Sequence, residues 1–153
     1  MNPPIRTGKD RDALLEGICD GTIDVIATDH APHSAEEKSG GLRGSLNGVV
    51  GLETSFGAVY KSLVLGCYIK LERLTELMSV NARRIFRLGD YKELMDYTVV
   101  DINREWKVES EKFYSKGKAT PFDGEMLTGL PVMTIVGGKA VYRDERYFAS
   151  SKK

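Results

Sequence analysis

Apolar and polar positions alternate in two different rhythms along this chain, and the rhythm changes near residue 90. In the first part, Ala13, Leu14, Leu15 and Ile18 form an apolar stripe at helical spacing. Thr7 is placed to cap that helix, Asp10 and Asp12 fall in its first turn, and Gly21 is placed to stop it. The preceding Asn2-Pro3-Pro4-Ile5 cannot be helix interior, because proline lacks an amide donor and restricts the residue before it. Residues 23–28 are short, β-branched and almost continuously apolar, which predicts a strand buried on both faces, as in a parallel sheet. That run empties into the polar cluster Asp29-His30-Ala31-Pro32-His33. Helix, buried strand and polar cluster at the strand's carboxyl end make an α/β pattern.

Residues 34–50 read as a loop given backbone freedom by Gly40, Gly41, Gly44 and Gly48. A structureless connection of that length is often functional. Helices are predicted over 52–65, 71–78 and 81–88. Past residue 90 the pattern turns to strands: 97–100, then a hairpin of 132–136 and 139–142 around Gly137-Gly138. Thr120-Pro121-Phe122-Asp123-Gly124 between them is a turn signature.

Composition narrows the classes. Hydrophobic residues make up 41% of the 153, too many for a disordered chain. Lys plus Arg and Asp plus Glu are 22 each, so there is no basic excess to suggest a nucleic-acid or membrane-surface partner. No apolar run reaches the roughly 18 residues of a membrane span, and the polar, proline-containing start does not read as a secretory signal. Cys19 and Cys67 cannot make a disulfide framework or a four-cysteine zinc site. They read as buried small apolar groups in a reduced, cytoplasmic protein.

The candidate chemistry sits in the one histidine cluster. Pro32 keeps His30 and His33 off a helix interior, so both belong to the loop leaving the strand. An aspartate there can bind a divalent metal and handle the proton of bound water. A histidine just beyond can hold an anionic substrate or act as acid or base. The structural alternative is that Asp29 simply forms a turn or caps a helix. The glycine-rich loop has no Gly-Lys-Ser/Thr, so it is not a phosphate cradle, and Glu36-Glu37-Lys38 reads as a solvated face. The residues alone lead to an α/β domain with a candidate hydrolytic site.

Several separated motifs then add a resemblance. Asn2-Pro3-Pro4-Ile5-Arg6, Asp20-Gly21-Thr22-Ile23-Asp24, Ala27-Thr28-Asp29-His30-Ala31-Pro32-His33, Gly48-Val49-Val50-Gly51-Leu52-Glu53-Thr54, Arg84-Ile85-Phe86, Ser115-Lys116 and Thr120-Pro121-Phe122-Asp123-Gly124 occur in this order. Together they resemble the type I dihydroorotases of the amidohydrolase superfamily, from Asn2 to about Tyr142. The resemblance implies a zinc-dependent hydrolase on a TIM barrel with a small β-sandwich, interconverting N-carbamoyl-L-aspartate and dihydroorotate in pyrimidine biosynthesis. By position it implies that Asp29 is a zinc ligand and the proton-transfer residue, and that His33 binds the substrate carboxylate. It further implies that Asn2 contacts the dihydroorotate ring and that the backbone at Asn47 and Gly48 closes over it.

The family's first-strand His-x-His pair, bridging lysine and two further metal-binding histidines have no counterpart here. A whole barrel takes roughly 250 residues. The resemblance is therefore to the C-terminal portion only: residues 1–90 as barrel elements, 91–148 as the end of the sandwich, and 149–153 as a disordered tail. Asn47 also stands where the family usually has phenylalanine, and Ala82 where it has proline. Zinc is expected to bind weakly or not at all to this chain, activity is expected to need the missing portion, and the expected partners are the small-molecule substrate and that missing portion or a second copy of the chain. Two other readings stand beside this one. The chain is a non-catalytic remnant or assembly partner, or it comes from a sister hydantoinase or allantoinase. His33 speaks against the sister enzymes, which typically place another residue there.

Overall fold

A computed structural model describes residues 4–89 and 95–150. Helix α1, Gly8–Asp20, starts and stops where its caps dictate. The Thr7 amide donates to the Asp10 carboxylate at 2.9 Å, and the Asp10 amide donates back to Thr7 Oγ1 at 3.2 Å, a reciprocal capping box. Gly21 closes the helix at φ 91°, a left-handed conformation that glycine adopts without strain. The apolar stripe is only half covered: Leu15 and Ile18 are half-buried, while Ala13 and Leu14 are exposed.

The expected parallel strand over 23–28 is not formed. Among the described residues the segment pairs with no strand, and one parallel bridge, between His30 and Val49, follows it. A parallel strand needs a neighbouring strand to pair with, and here helix groups take that place. The Ile26 amide donates to the Leu77 carbonyl at 3.0 Å, Arg73 Nη2 to the Ile23 carbonyl at 3.2 Å, and Asn81 Nδ2 to the Asp24 carbonyl at 2.9 Å.

Those groups lie on one continuous helical run rather than on two helices. It consists of α4, Leu71–Thr75, a π-helical turn, Glu76–Val80, and α5, Asn81–Phe86. Leu74, Leu77 and Asn81 are its buried positions. The helix expected over 52–65 appears as α3, Ser55–Val59, continued by a π-helical segment, Tyr60–Val64. Within the loop at 34–50, residues Gly41–Gly44 form one further turn, α2.

The β region is one antiparallel sheet in the order β1-β2-β3: Tyr97–Lys107, Met126–Val136 and Lys139–Arg143. β1 and β2 are both longer than expected. Pro131 does not end β2, because it faces Val100 at a register shift, where its missing amide costs little. The hairpin turn is as predicted, with Gly137 and Gly138 at φ 55° and 75° between the paired Val136 and Lys139. Helix and sheet meet at two glycines. A side chain on Gly57 would meet Leu127 Cβ at 3.2 Å, and one on Gly129 would meet Phe56 Cε1 at 2.9 Å. The core around this contact contains Val50, Tyr60, Leu63, Leu127, Val132 and Ile135.

A last helix, α6, spans Glu145–Ser150, and residues 151–153 of the tail expected from 149 lie outside the described residues. The domain boundary expected near residue 90 falls mostly on residues outside the described set. Cys19 and Cys67 are exposed, not buried. No helix among the described residues is long and apolar enough to cross a membrane.

Candidate active site

The segment leaving residue 28 turns sharply at Asp29, whose φ of 46° is left-handed and uncommon for a residue with a side chain. Asp29 is exposed, and its carboxylate makes no hydrogen bond among the described residues. Held backbone strain of this kind tends to occur where a side chain must be aimed. His30 fixes the turn from the other side: its Nδ1 accepts from the Gly51 amide at 3.2 Å and from the Leu52 amide at 3.4 Å. An accepting Nδ1 places the proton of the neutral ring on Nε2.

His33 is drawn into the loop that follows. Its Nε2 lies 2.9 Å from the Asn47 carbonyl oxygen, which can only accept, so Nε2 carries a proton. Its Nδ1 lies 3.8 Å from Glu37 Oε2. Gly48 sits directly beneath, at φ 126°, and a side chain there would meet Ala31 Cβ at 2.5 Å and His33 Nε2 at 3.2 Å. His33, Asn47 and Gly48 are thus brought together, on the loop that Asp29 and His30 begin. Asn2 lies outside the described residues.

The loop is a closed structure of its own. The Ser34 amide donates to Glu37 Oε2 at 2.7 Å and the Glu37 amide to Ser34 Oγ at 3.2 Å. The Ser34 amide, the Ser34 hydroxyl and nearby His33 together hold the Glu37 carboxyl below its usual range. Lys38 is not part of a solvated face. It is half-buried, and its ammonium donates to the carbonyls of Leu46 and Gly48, both at 2.9 Å. Ser34 three residues before Glu37 is a capping-box spacing visible in the sequence; nothing in the sequence marks Lys38.

Behind the loop, Glu53 joins the two halves of the chain. Its Oε1 accepts from the Ser115 amide at 2.9 Å, and its Oε2 is buried without a partner among the described residues. Burial pushes the Glu53 acid up, but the Ser115 hydrogen bond, its own amide and nearby His30 outweigh it, leaving the group below its usual range. Two further contacts tie the same halves: the Val50 amide donates to the Ala119 carbonyl at 2.8 Å, and Gly117 lies against His33, where a side chain would meet the His33 carbonyl oxygen at 2.9 Å. A cavity of about 340 Å³ opens between Leu52, Glu53 and the sheet residues Trp106, Leu130 and Tyr142, and none of the site residues expected from the sequence lines it.

Among the described residues no set of side chains is arranged to hold a metal ion. Zinc takes three or four protein ligands, and among the described residues no three His, Cys, Asp or Glu side chains converge. His30 Nδ1 and His33 Nε2 are both engaged with backbone groups. The described residues therefore do not fit zinc as a set, and Asp29 is the carboxylate of the cluster open to a ligand.

No family model matches the chain. Curated relatives do: dihydroorotases of Fusobacterium nucleatum and Bacillus cytotoxicus are each 47% identical over 149 residues, covering 95% of this chain and 35% of those proteins. The chain thus spans about a third of the length of the curated relatives it matches. Among solved structures, L-hydantoinase (dihydropyrimidinase) from Arthrobacter aurescens superposes with a TM-score of 0.84 at 32% identity, over 94% of this chain and 34% of that one. D-hydantoinase from a Thermus species gives a TM-score of 0.80 at 24% identity, over 94% of this chain and 33% of that one, a likeness of fold. The chain is a homologue of the C-terminal portion of dihydroorotases, and its fold is that of the matching part of the hydantoinases.

Proposed function

We propose that the chain is the C-terminal part of a dihydroorotase-like cyclic-amide hydrolase, and that the strained Asp29 turn is its catalytic feature. The observation that carries this reading is Asp29 itself: an exposed carboxylate without a hydrogen bond among the described residues, held at φ 46° on the loop that also brings together His33, Asn47 and Gly48. In this reading residues 1–90 complete a (β/α) barrel, with 23–28 as one of its strands, and 91–148 complete a small β-sandwich. The pathway is pyrimidine biosynthesis in the cytoplasm.

The chemistry follows from the groups present. Asp29 takes the proton of a water attacking the ring carbonyl of dihydroorotate. As the carbon–nitrogen bond breaks, it returns that proton to the leaving nitrogen, giving carbamoyl-aspartate. Ring closure runs the same steps backwards. His33 holds the substrate carboxylate by charge-assisted hydrogen bonding. Asn47 and Gly48 close over the ring through backbone amides, and Asn2 is a further ring contact in this reading. Asp29 is one ligand toward a zinc site that other residues complete.

The likeness to L-hydantoinase supports a second reading, hydrolysis of an uncharged cyclic amide. The test is complementation. The chain is co-expressed with the preceding portion of the Fusobacterium nucleatum dihydroorotase, and hydrolysis of dihydroorotate and of hydantoin is followed chromatographically. Turnover of dihydroorotate supports the reading. Turnover of hydantoin alone replaces it with the second. A folded complex inert toward both makes the chain a non-catalytic assembly partner.

A further inference from the structure

We infer that Lys38 is a positioning residue that, through the Leu46 carbonyl, turns the Asn47 amide outward beside the Gly48 amide set by His33, so that the two amides offer donors to a ligand oxygen; this rests on the functional reading above. Three carbonyls in succession are pinned. Those of Leu46 and Gly48 accept from Lys38 Nζ at 2.9 Å, and that of Asn47 accepts from His33 Nε2 at 2.9 Å. In a trans peptide the N–H points opposite to the C=O. The Asn47 amide therefore points away from the ammonium, and the Gly48 amide points away from the imidazole. Among the described residues neither amide donates a hydrogen bond.

The arrangement is held from several sides. Ser45 Oγ donates to the Lys38 carbonyl at 2.8 Å and the Leu46 amide to the Glu37 carbonyl at 3.1 Å, so the residue carrying the ammonium is itself fixed. Lys38 has no carboxylate within 4.0 Å among the described residues. Its charge is set against backbone oxygens, where a neutral side chain of equal length offers nothing. A positive charge behind two outward amides suits an acceptor oxygen bearing negative charge, such as a carboxylate or a developing oxyanion.

The test uses the 153-residue chain, ¹⁵N-labelled, as wild type, Lys38→Met and Lys38→Arg. Without ligand, Lys38→Met is expected to move the Asn47 and Gly48 amide resonances and Lys38→Arg to restore them in part. Unmoved resonances in a folded Lys38→Met chain overturn the positioning role whatever binds. With L-dihydroorotate added, the wild-type amides are expected to shift on titration, and Lys38→Met to bind about tenfold more weakly. Equal binding by the two overturns the role of Lys38 and leaves the functional reading standing. A wild-type chain whose Asn47 and Gly48 amides ignore dihydroorotate, while Lys38→Met still moves them, overturns the ligand assignment; the functional reading is decided by the complemented complex.

Discussion

Glu53 accepts a hydrogen bond from the Ser115 amide at 2.9 Å, across 62 residues of chain. The turn that receives His30 is thereby fastened to the segment leading into β2. Replacing Glu53 by alanine leaves the half-buried Ser115 amide without its acceptor, at a cost of about 1–2 kcal/mol. Because the folded Glu53 acid lies below its ordinary range, the stabilisation is present above the unfolded pKa and is lost as pH falls through the folded one. Urea titrations at pH 7 and near pH 3.5 check this: the difference between wild type and Glu53→Ala is expected to shrink at the lower pH.

Gly48 is a second fixed point. At φ 126°, with Ala31 Cβ only 2.5 Å from where a side chain would start, Gly48→Ala is expected to cost about 1–3 kcal/mol and to displace the His33 ring. Gly44, which has open space around it, provides the control: Gly44→Ala is expected to change stability by no more than about 0.5 kcal/mol. Thermal unfolding of the two variants separates them.

The Glu37 carboxyl is exposed, so its contribution is read as loop order rather than global stability. Its acid is held down by Ser34 and His33, so the loop clasp is intact above the ordinary glutamate range near pH 4.3 and opens as pH falls through the lowered folded value. Amide hydrogen exchange of residues 34–48 across pH 3–6 is expected to show that opening. In Glu37→Gln the low-pH step is expected to be absent.

Among the described residues β1 and β3 pair on one side only, and they carry exposed apolar side chains: Tyr97 and Val99 on β1 and Val141 on β3 are 55%, 41% and 63% exposed. Open edges with apolar side chains pair with other chains. The isolated protein is expected to sediment heavier than its 17.0 kDa monomer, and Val99→Lys with Val141→Lys to restore the monomer mass. Sedimentation velocity of the two proteins checks this.

The sequence made some of this legible, and the reasons are local. Thr7, Asp10 and Gly21 fix α1 through backbone groups within a few residues, so its ends are where they were expected. Gly137-Gly138 fixes the hairpin in the same way. The segment 23–28 failed as a strand because pairing is a long-range property: the apolar run is there, but its hydrogen bonds go to Leu77, Arg73 and Asn81. Pro131 hid the length of β2, since its tolerance depends on a register shift seen only in the sheet. In the site, the resemblance named His33, Asn47 and Gly48, and these three lie against one another. Lys38 escaped because its partners are main-chain oxygens, which carry no sequence signal.

The claim that Asp29 moves the proton is tested most directly by the turnover of dihydroorotate, per folded molecule, by the complemented Asp29→Asn protein. The amide keeps the shape but cannot accept the proton. Turnover is expected to fall by about 10²–10⁴-fold or more, while dihydroorotate still binds through His33. His33→Asn is expected instead to weaken binding by about 1.5–3 kcal/mol, the value of a charge-assisted hydrogen bond. An Asp29→Asn protein that hydrolyses dihydroorotate at the wild-type rate contradicts the account and leaves Asp29 as a turn-former.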